Sequence, residues 1–476
     1  MTELKRVLGL WDIVAMNIVA VVGLRWIARS ARAGEPTVVL WVLAWLLFFL
    51  PLAAAVIELS SRYPEQGGLY AWTRRAFGPV HGFICGWCLW VNNLFYFPSL
   101  LLFAAANLLL LFGPAFGGLA DTRAYSVSFV LIVLWGSVAL NIVGLGAGRL
   151  LQTAGSVSTW IPALLLIVGG AVTFATVGSA STFTVETMTP RTGALDTIAL
   201  WSAMCFAFSG FEISSLVGGE VKDPRRTIPR GILIAGMAAT AIYIMGSVSV
   251  LVSVPAAELQ ELSGIADAVD GAGRQLGLAG MGALTGGLLA VGSIAGTNSW
   301  FGGAARVPFA AGVHQALPPA FARLHPRYQT PVTAILVQGV VATVIFLASV
   351  FVSLTGGTTS IQEAYDILVN LTILVYFVPY LYLFPTLVRL RAMAGPTDDA
   401  AVMRVPGGTG GLWVLSIAGF LATAISVALV FVPPPDTANV LNYEANLIGQ
   451  AALVLAAGFG LYWWSQHRGG TYRPQS

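Results

Sequence analysis

Two glycines mark the places in this chain with the most chemistry. Gly23 and Gly210 each lie inside a long apolar stretch. Each is followed two positions later by an ionisable residue: Arg25 in Val22-Gly23-Leu24-Arg25-Trp26, and Glu212 in Phe208-Ser209-Gly210-Phe211-Glu212. A charge in hydrocarbon costs several kcal/mol unless it faces a cavity or a partner. Glycine beside such a charge points to an unwound helix, where freed backbone N–H and C=O groups need a ligand, water or a neighbouring helix. A zwitterion supplies both kinds of partner. Its carboxylate accepts from N–H groups at a half-helix N-terminus, and its ammonium donates to freed carbonyls. A free amino acid is therefore the expected ligand. Glu212 is the candidate proton carrier, a role intramembrane acids fill in pumps and transporters, and its alternative is a structural anchor. Arg25 has three readings: it pairs with Glu212, it binds an acidic substrate side chain, or it shares an exposed charged face with Arg29 and Arg32.

Other polar residues in apolar surroundings extend the list. Asn92 and Asn93, near Trp87, Trp90 and Tyr96, must face the interior or a cavity. The run Gly296-Thr-Asn-Ser-Trp300 either lines a pocket or allows close helix packing. Cys85-Gly-Trp-Cys88 has redox spacing, but it sits in a membrane stretch rather than before a βαβ helix. The glycines of Gly144-Leu-Gly-Ala-Gly148 lack the third spacing of a dinucleotide loop, and neither a P-loop nor an HExxH is present. The sequence points to no enzyme activity, cofactor, metal or nucleic acid.

These residues must be positioned by membrane helices. Only 9 % of the 476 residues are charged and 57 % are hydrophobic, against about 25 % charged in soluble domains. Apolar stretches long enough to cross roughly 30 Å of hydrocarbon fall near 13–32, 37–58, 80–111, 126–144, 150–175, 195–219, 229–252, 277–304, 331–353, 364–389, 410–431 and 445–464. The fold class is all-α, integral to the membrane, with about twelve spans. An even count puts both termini on one side, and 18 of the 24 Lys and Arg then fall on that side. The termini are thus expected to be cytoplasmic. Breaks at matching positions in spans one and six suggest a five-plus-five inverted repeat, 13–175 and 195–389, with helices 410–464 added, all forming one transporter domain.

Three motifs resemble those of the amino acid-polyamine-organocation transporters. They are Glu58-Leu-Ser-Ser-Arg-Tyr-Pro-Glu-Gln-Gly-Gly-Leu-Tyr-Ala-Trp72 with Ala76-Phe-Gly-Pro79, then Phe206-Ala-Phe-Ser-Gly-Phe-Glu212 with Gly219-Glu-Val-Lys-Asp-Pro-Arg-Arg-Thr-Ile-Pro229, and Ala305-Arg-Val-Pro-Phe-Ala-Ala-Gly312 with Leu317-Pro318. Gly23-Leu-Arg-Trp26 and Thr159-Trp-Ile-Pro162 look most like the glutamate/GABA-antiporter-like branch. The resemblance implies an alternating-access carrier in the cell membrane. In it, Val22, Gly23, Leu24, Phe208, Ser209 and Gly210 hold the substrate backbone, Asn93 and Trp300 contact its side chain, and Glu212 couples protons. Two departures stand out: Gly23-Leu24-Arg25 replaces the usual Gly-Ser-Gly, and Thr159 stands where some proton-driven relatives place a lysine. The expected function is secondary transport of amino acids, proton-coupled or exchanging. The alternatives are a glutamate/GABA-like or polyamine antiporter, or a non-transporting amino acid receptor or subunit.

Overall fold

Long apolar segments without water to satisfy their backbone must satisfy it internally, and the chain does so as helices. The computed structural model describes residues 8–63, 68–143, 145–190, 195–212, 221–308, 319–352, 360–394, 402–433, 437 and 439–468. Among them the long elements are all helical, and an isolated parallel bridge joins Leu8 to Val221. In chain order the helices are α1 (Leu10–Val21), α2 (Arg25–Ala31), α3 (Thr37–Arg62, with a π-helical turn at Trp45–Phe49), α4 (Gly68–Phe77), α5 (Pro79–Leu109), α6 (Arg123–Val143) and α7 (Leu145–Thr176). They continue as α8 (Leu195–Ala207), α9 (Pro224–Ser253), α10 (Gly264–Gln275), α11 (Met281–Ala304), α12 (Val332–Phe351), α13 (Ile361–Met393), α14 (Gly408–Leu429) and α15 (Val440–Arg468). Nine of the described helices are long and apolar enough to cross a membrane. Eleven of the twelve expected spans coincide with a helix or, in span one, with the broken pair α1 and α2, while of span six α8 accounts for 195–207. Residues 213–219 of span six lie outside the described residues, as do parts of all three motifs (64–67, 219–220 and 309–318).

The contacts divide the chain into two compact units. One comprises Met1–Cys85, Ala163–Met281 and Phe377–Val432; the other comprises Gly86–Pro162, Gly282–Tyr376 and Pro433–Ser476. Within each, small residues let helix backbones approach closely, as is usual where lipid removes the hydrophobic drive for association. In the first unit α1 runs alongside α9, and a Cβ on Gly231 would lie 2.5 Å from Ile13 Cγ2. A Cβ on Gly170 would lie 2.4 Å from the Cβ and 2.6 Å from the Cα of Ser249, which is backbone and cannot swing away. Gly170→Ala is therefore expected to cost about 1–3 kcal/mol by overpacking, read as a lower thermal-unfolding midpoint in detergent. In the second unit Gly155 meets Ala295 in the same way, with a Cβ-to-Cβ distance of 2.2 Å.

The first motif is largely architectural. Glu58, fully buried in the last turns of α3, accepts from the Val405 N–H at 2.8 Å and is flanked by Arg391 Nη1 at 3.4 Å and Arg62 Nη2 at 3.5 Å. The Ser61 hydroxyl accepts from the Met403 N–H at 3.2 Å. These residues pin the segment that leads from α13 to α14 against α3.

Candidate functional site

Helix one breaks at the expected place. α1 ends at Val21, Val22 turns into extended backbone, and α2 restarts at Arg25. Space at the break favours glycine, since a Cβ on Gly23 would stand 2.8 Å from the Trp26 indole. Helix six breaks after Ala207 through Phe208, Ser209 and Gly210. Gly210 has φ +104°, a conformation glycine adopts at little cost and other residues rarely do.

Two tyrosines close these breaks. The Tyr243 hydroxyl of α9 accepts from the Gly23 N–H at 3.2 Å. Its single proton reaches the Val21 carbonyl at 2.7 Å, and the Ala207 carbonyl at 3.1 Å is the other acceptor in range. One phenol thus ties the break in helix one to the end of the first half of helix six. Tyr243 is held in turn by Trp41 of α3, whose indole stacks on it with centroids 4.5 Å apart and planes 6° apart. The Trp41 Nε1–H lies 3.0 Å from the Ser247 hydroxyl, and Phe208 meets both rings edge-on. Because three backbone atoms depend on one hydroxyl, Tyr243→Phe is expected to cost about 1–3 kcal/mol, measured as lost thermal stability and weaker substrate binding together.

Tyr380 of α13 does the matching work in helix six. Its hydroxyl donates to Glu212 Oε2 at 2.6 Å and accepts from the Gly210 N–H at 3.0 Å. The same N–H also lies 3.1 Å from Glu212 Oε2. Glu212 is 6 % exposed, so these donors meet a carboxylate largely withdrawn from solvent. Arg25 is also buried, with its guanidinium 4.4 Å from the Trp26 ring centroid. Trp26 packs on Phe206 at 5.0 Å, which brings the two broken helices together on this side as well.

The reading of Arg25, Arg29 and Arg32 as an exposed face is corrected. Arg25 and Arg29 are buried, and Glu261, in the turn before α10, takes Arg29 Nη1 at 2.6 Å and Arg32 Nη1 at 2.9 Å. Burial pushes the Glu261 carboxyl up, but the two guanidiniums more than reverse this and hold it below the usual carboxylate range.

Asn93 and Trp300 belong to the second unit. The Asn93 amide nitrogen donates to the Leu89 carbonyl at 2.8 Å, and Asn92 donates to the same oxygen. One turn from Asn93, the Trp90 indole donates to Gln338 Oε1 at 2.9 Å, and Gln338 Nε2 donates to the Phe301 carbonyl at 2.9 Å. This chain fixes α5 and α12 to the backbone beside Trp300, which is half-buried on α11. The Thr159 hydroxyl is occupied within its own helix, donating to the Gly155 carbonyl at 2.9 Å.

Sequence reasoning found both breaks and missed both tyrosines. A signal for Tyr243 exists, since it is the single aromatic residue in α9 and a buried phenol requires a hydrogen-bond partner.

The family model for amino acid permeases matches residues 8–457. Over 94 % of its length the chain is 30 % identical to an uncharacterized transporter of Legionella pneumophila, 95 % of which is covered. It is 24 % identical to a Lactococcus lactis protein designated a probable agmatine/putrescine antiporter, over 90 % of the chain and 88 % of that protein. It is 28 % identical to the serine/threonine exchanger of Bacillus subtilis, over 73 % of the chain and 77 % of that protein.

Proposed function

Because the chain belongs to the amino acid permease family, and so is a multi-pass membrane transporter rather than an enzyme, we propose that it moves an amino acid bound at the two helix breaks and couples this to protonation of Glu212. One observation carries the coupling. The Gly210 N–H and the Tyr380 hydroxyl converge on one carboxylate oxygen of Glu212. Both are donors that a substrate carboxylate also seeks, so two carboxylates compete for them. Protonating Glu212 removes its charge and yields these donors to the substrate, so proton and amino acid bind in each other's favour. Val22, Gly23, Leu24, Phe208, Ser209 and Gly210 supply the backbone, Arg25 takes the substrate's acidic end, and Asn93 and Trp300 set side-chain preference. Residues 13–175 and 195–389 form the inverted repeats, helices 410–464 lie outside them, and both termini face the cytoplasm across the cell membrane.

Exchange is the second mode to test, since the relatives named above include an antiporter and an exchanger. The test is counterflow of labelled amino acids, GABA and polyamines in liposomes, with inside and outside pH set independently. Saturable counterflow of one substrate class is expected. Binding with no counterflow at any pH would replace the carrier reading by a receptor or subunit. Arg25→Gln is expected to weaken substrate binding about tenfold or more, the effect of one lost charge-assisted hydrogen bond. Rescue of Arg25→Gln by Glu212→Gln would instead show that Arg25 serves to neutralise Glu212.

A further inference from the structure

We propose that the groove between α13 and α14 is a binding site for an anionic glycerophospholipid, with the phosphate on Arg389 and an acyl chain along the groove. The groove has a volume of about 460 Å³, and its walls include Phe384, Val388, Trp413, Ser416 and Phe420. That is within the range of roughly 300–1,000 Å³ typical of ligand cavities. Its lining is almost entirely carbon, as a hydrocarbon chain requires.

The charge sits at one end. α13 finishes at Met393 and α14 begins at Gly408, so Arg389 and Trp413 lie at the same membrane face, where the connecting segment joins the two helices. Arg389 is exposed, its guanidinium is 5.0 Å from the Phe77 ring centroid, and it forms no ion pair among the described residues. Trp413 is 51 % exposed beside it, the position that indoles favour at headgroup depth. One helical turn deeper, roughly 5 Å, the Ser416 hydroxyl forms part of the groove wall. Ser416 is 5 % exposed, and its oxygen is buried without a hydrogen-bond partner. A phospholipid carries its ester carbonyls about that far below its phosphate, and a hydroxyl there can donate to one. Cation, interfacial indole, unpartnered hydroxyl and apolar trough thus follow the order of groups along such a lipid.

The experiment is native mass spectrometry of the full chain, delipidated and titrated with phosphatidylglycerol or phosphatidylcholine of identical chains. One phosphatidylglycerol is expected to bind about tenfold more tightly than phosphatidylcholine, with the preference lost in Arg389→Gln and largely kept in Arg389→Lys. Ile417 also lines the groove, and filling the trough with Ile417→Trp should weaken both lipids. In the wild type, raising salt should erode the phosphatidylglycerol preference, a measurement that needs no variant. Equal affinity for the two lipids, a preference unchanged by Arg389→Gln, or displacement by millimolar inorganic phosphate would each overturn the proposal.

Discussion

Glu212→Gln is expected to abolish uphill transport while leaving counterflow of labelled substrate measurable. One unit of pH is about 1.4 kcal/mol per proton, so a carrier moving one proton with each substrate accumulates about tenfold per unit of pH gradient. A side chain that cannot ionise removes that coupling, and accumulation in liposomes with a pH gradient should fall to the level set by passive equilibration. The amide still fits the break and, like the protonated acid, carries no charge to hold the Gly210 N–H and the Tyr380 hydroxyl against a substrate carboxylate. Counterflow, which needs only binding and reorientation, should therefore persist and become insensitive to pH. Tyr380→Phe separates the two contributions. It removes one donor to Glu212, a hydrogen bond to a charged group worth about 1.5–3 kcal/mol, but leaves a titratable carboxyl. Transport in that variant should keep its pH dependence with the profile displaced. Undiminished gradient-driven accumulation in Glu212→Gln would sink the proton-coupling assignment.

The spans and both breaks were legible because their causes are local. Apolar length is a property of consecutive residues, and a glycine two positions from a charge advertises an unwound turn wherever the rest of the chain lies. The partners that make the breaks stable are not local. Tyr243 is 222 residues from the carbonyl it serves at Val21, and Tyr380 is 168 residues from Glu212. No spacing rule connects such positions. The same distance explains the misread face of α2: three arginines in one helical stretch look solvated until Glu261, 232 residues beyond Arg29, is brought against two of them. Glu58 was legible as part of a motif but not as a clasp, because its partners Arg391 and Val405 arrive from the far end of the chain. In this protein, sequence shows where the backbone opens, and tertiary contacts decide what fills the opening.

The cluster of Arg29, Arg32 and Glu261 should have the largest effect on stability. Breaking a buried pair by removing one partner typically costs about 3–5 kcal/mol, because the remaining charge is left uncompensated. Glu261→Gln removes the carboxylate charge that Arg29, with a side chain 5 % exposed, and Arg32 both engage, so a loss of that size is expected in thermal unfolding. The pH dependence has a definite sign. The folded carboxyl lies below its ordinary value of 4.5, so its contribution is complete above that pH and is lost as pH falls through the lower folded value. The gap between wild type and Glu261→Gln should thus stay constant from neutral pH down to about 5 and close only in stronger acid. Replacing both members of the tighter pair, Arg29→Met with Glu261→Met, should recover most of the loss, because two apolar side chains carry no desolvation penalty. Arg32 can remain, since its side chain is 17 % exposed and keeps contact with water. Because the cluster fastens α2, the half-helix next to the substrate break, the double variant should unfold near the wild-type temperature yet bind substrate more weakly. If Glu261→Gln unfolds at the wild-type temperature, the cluster is not what holds α2 in place.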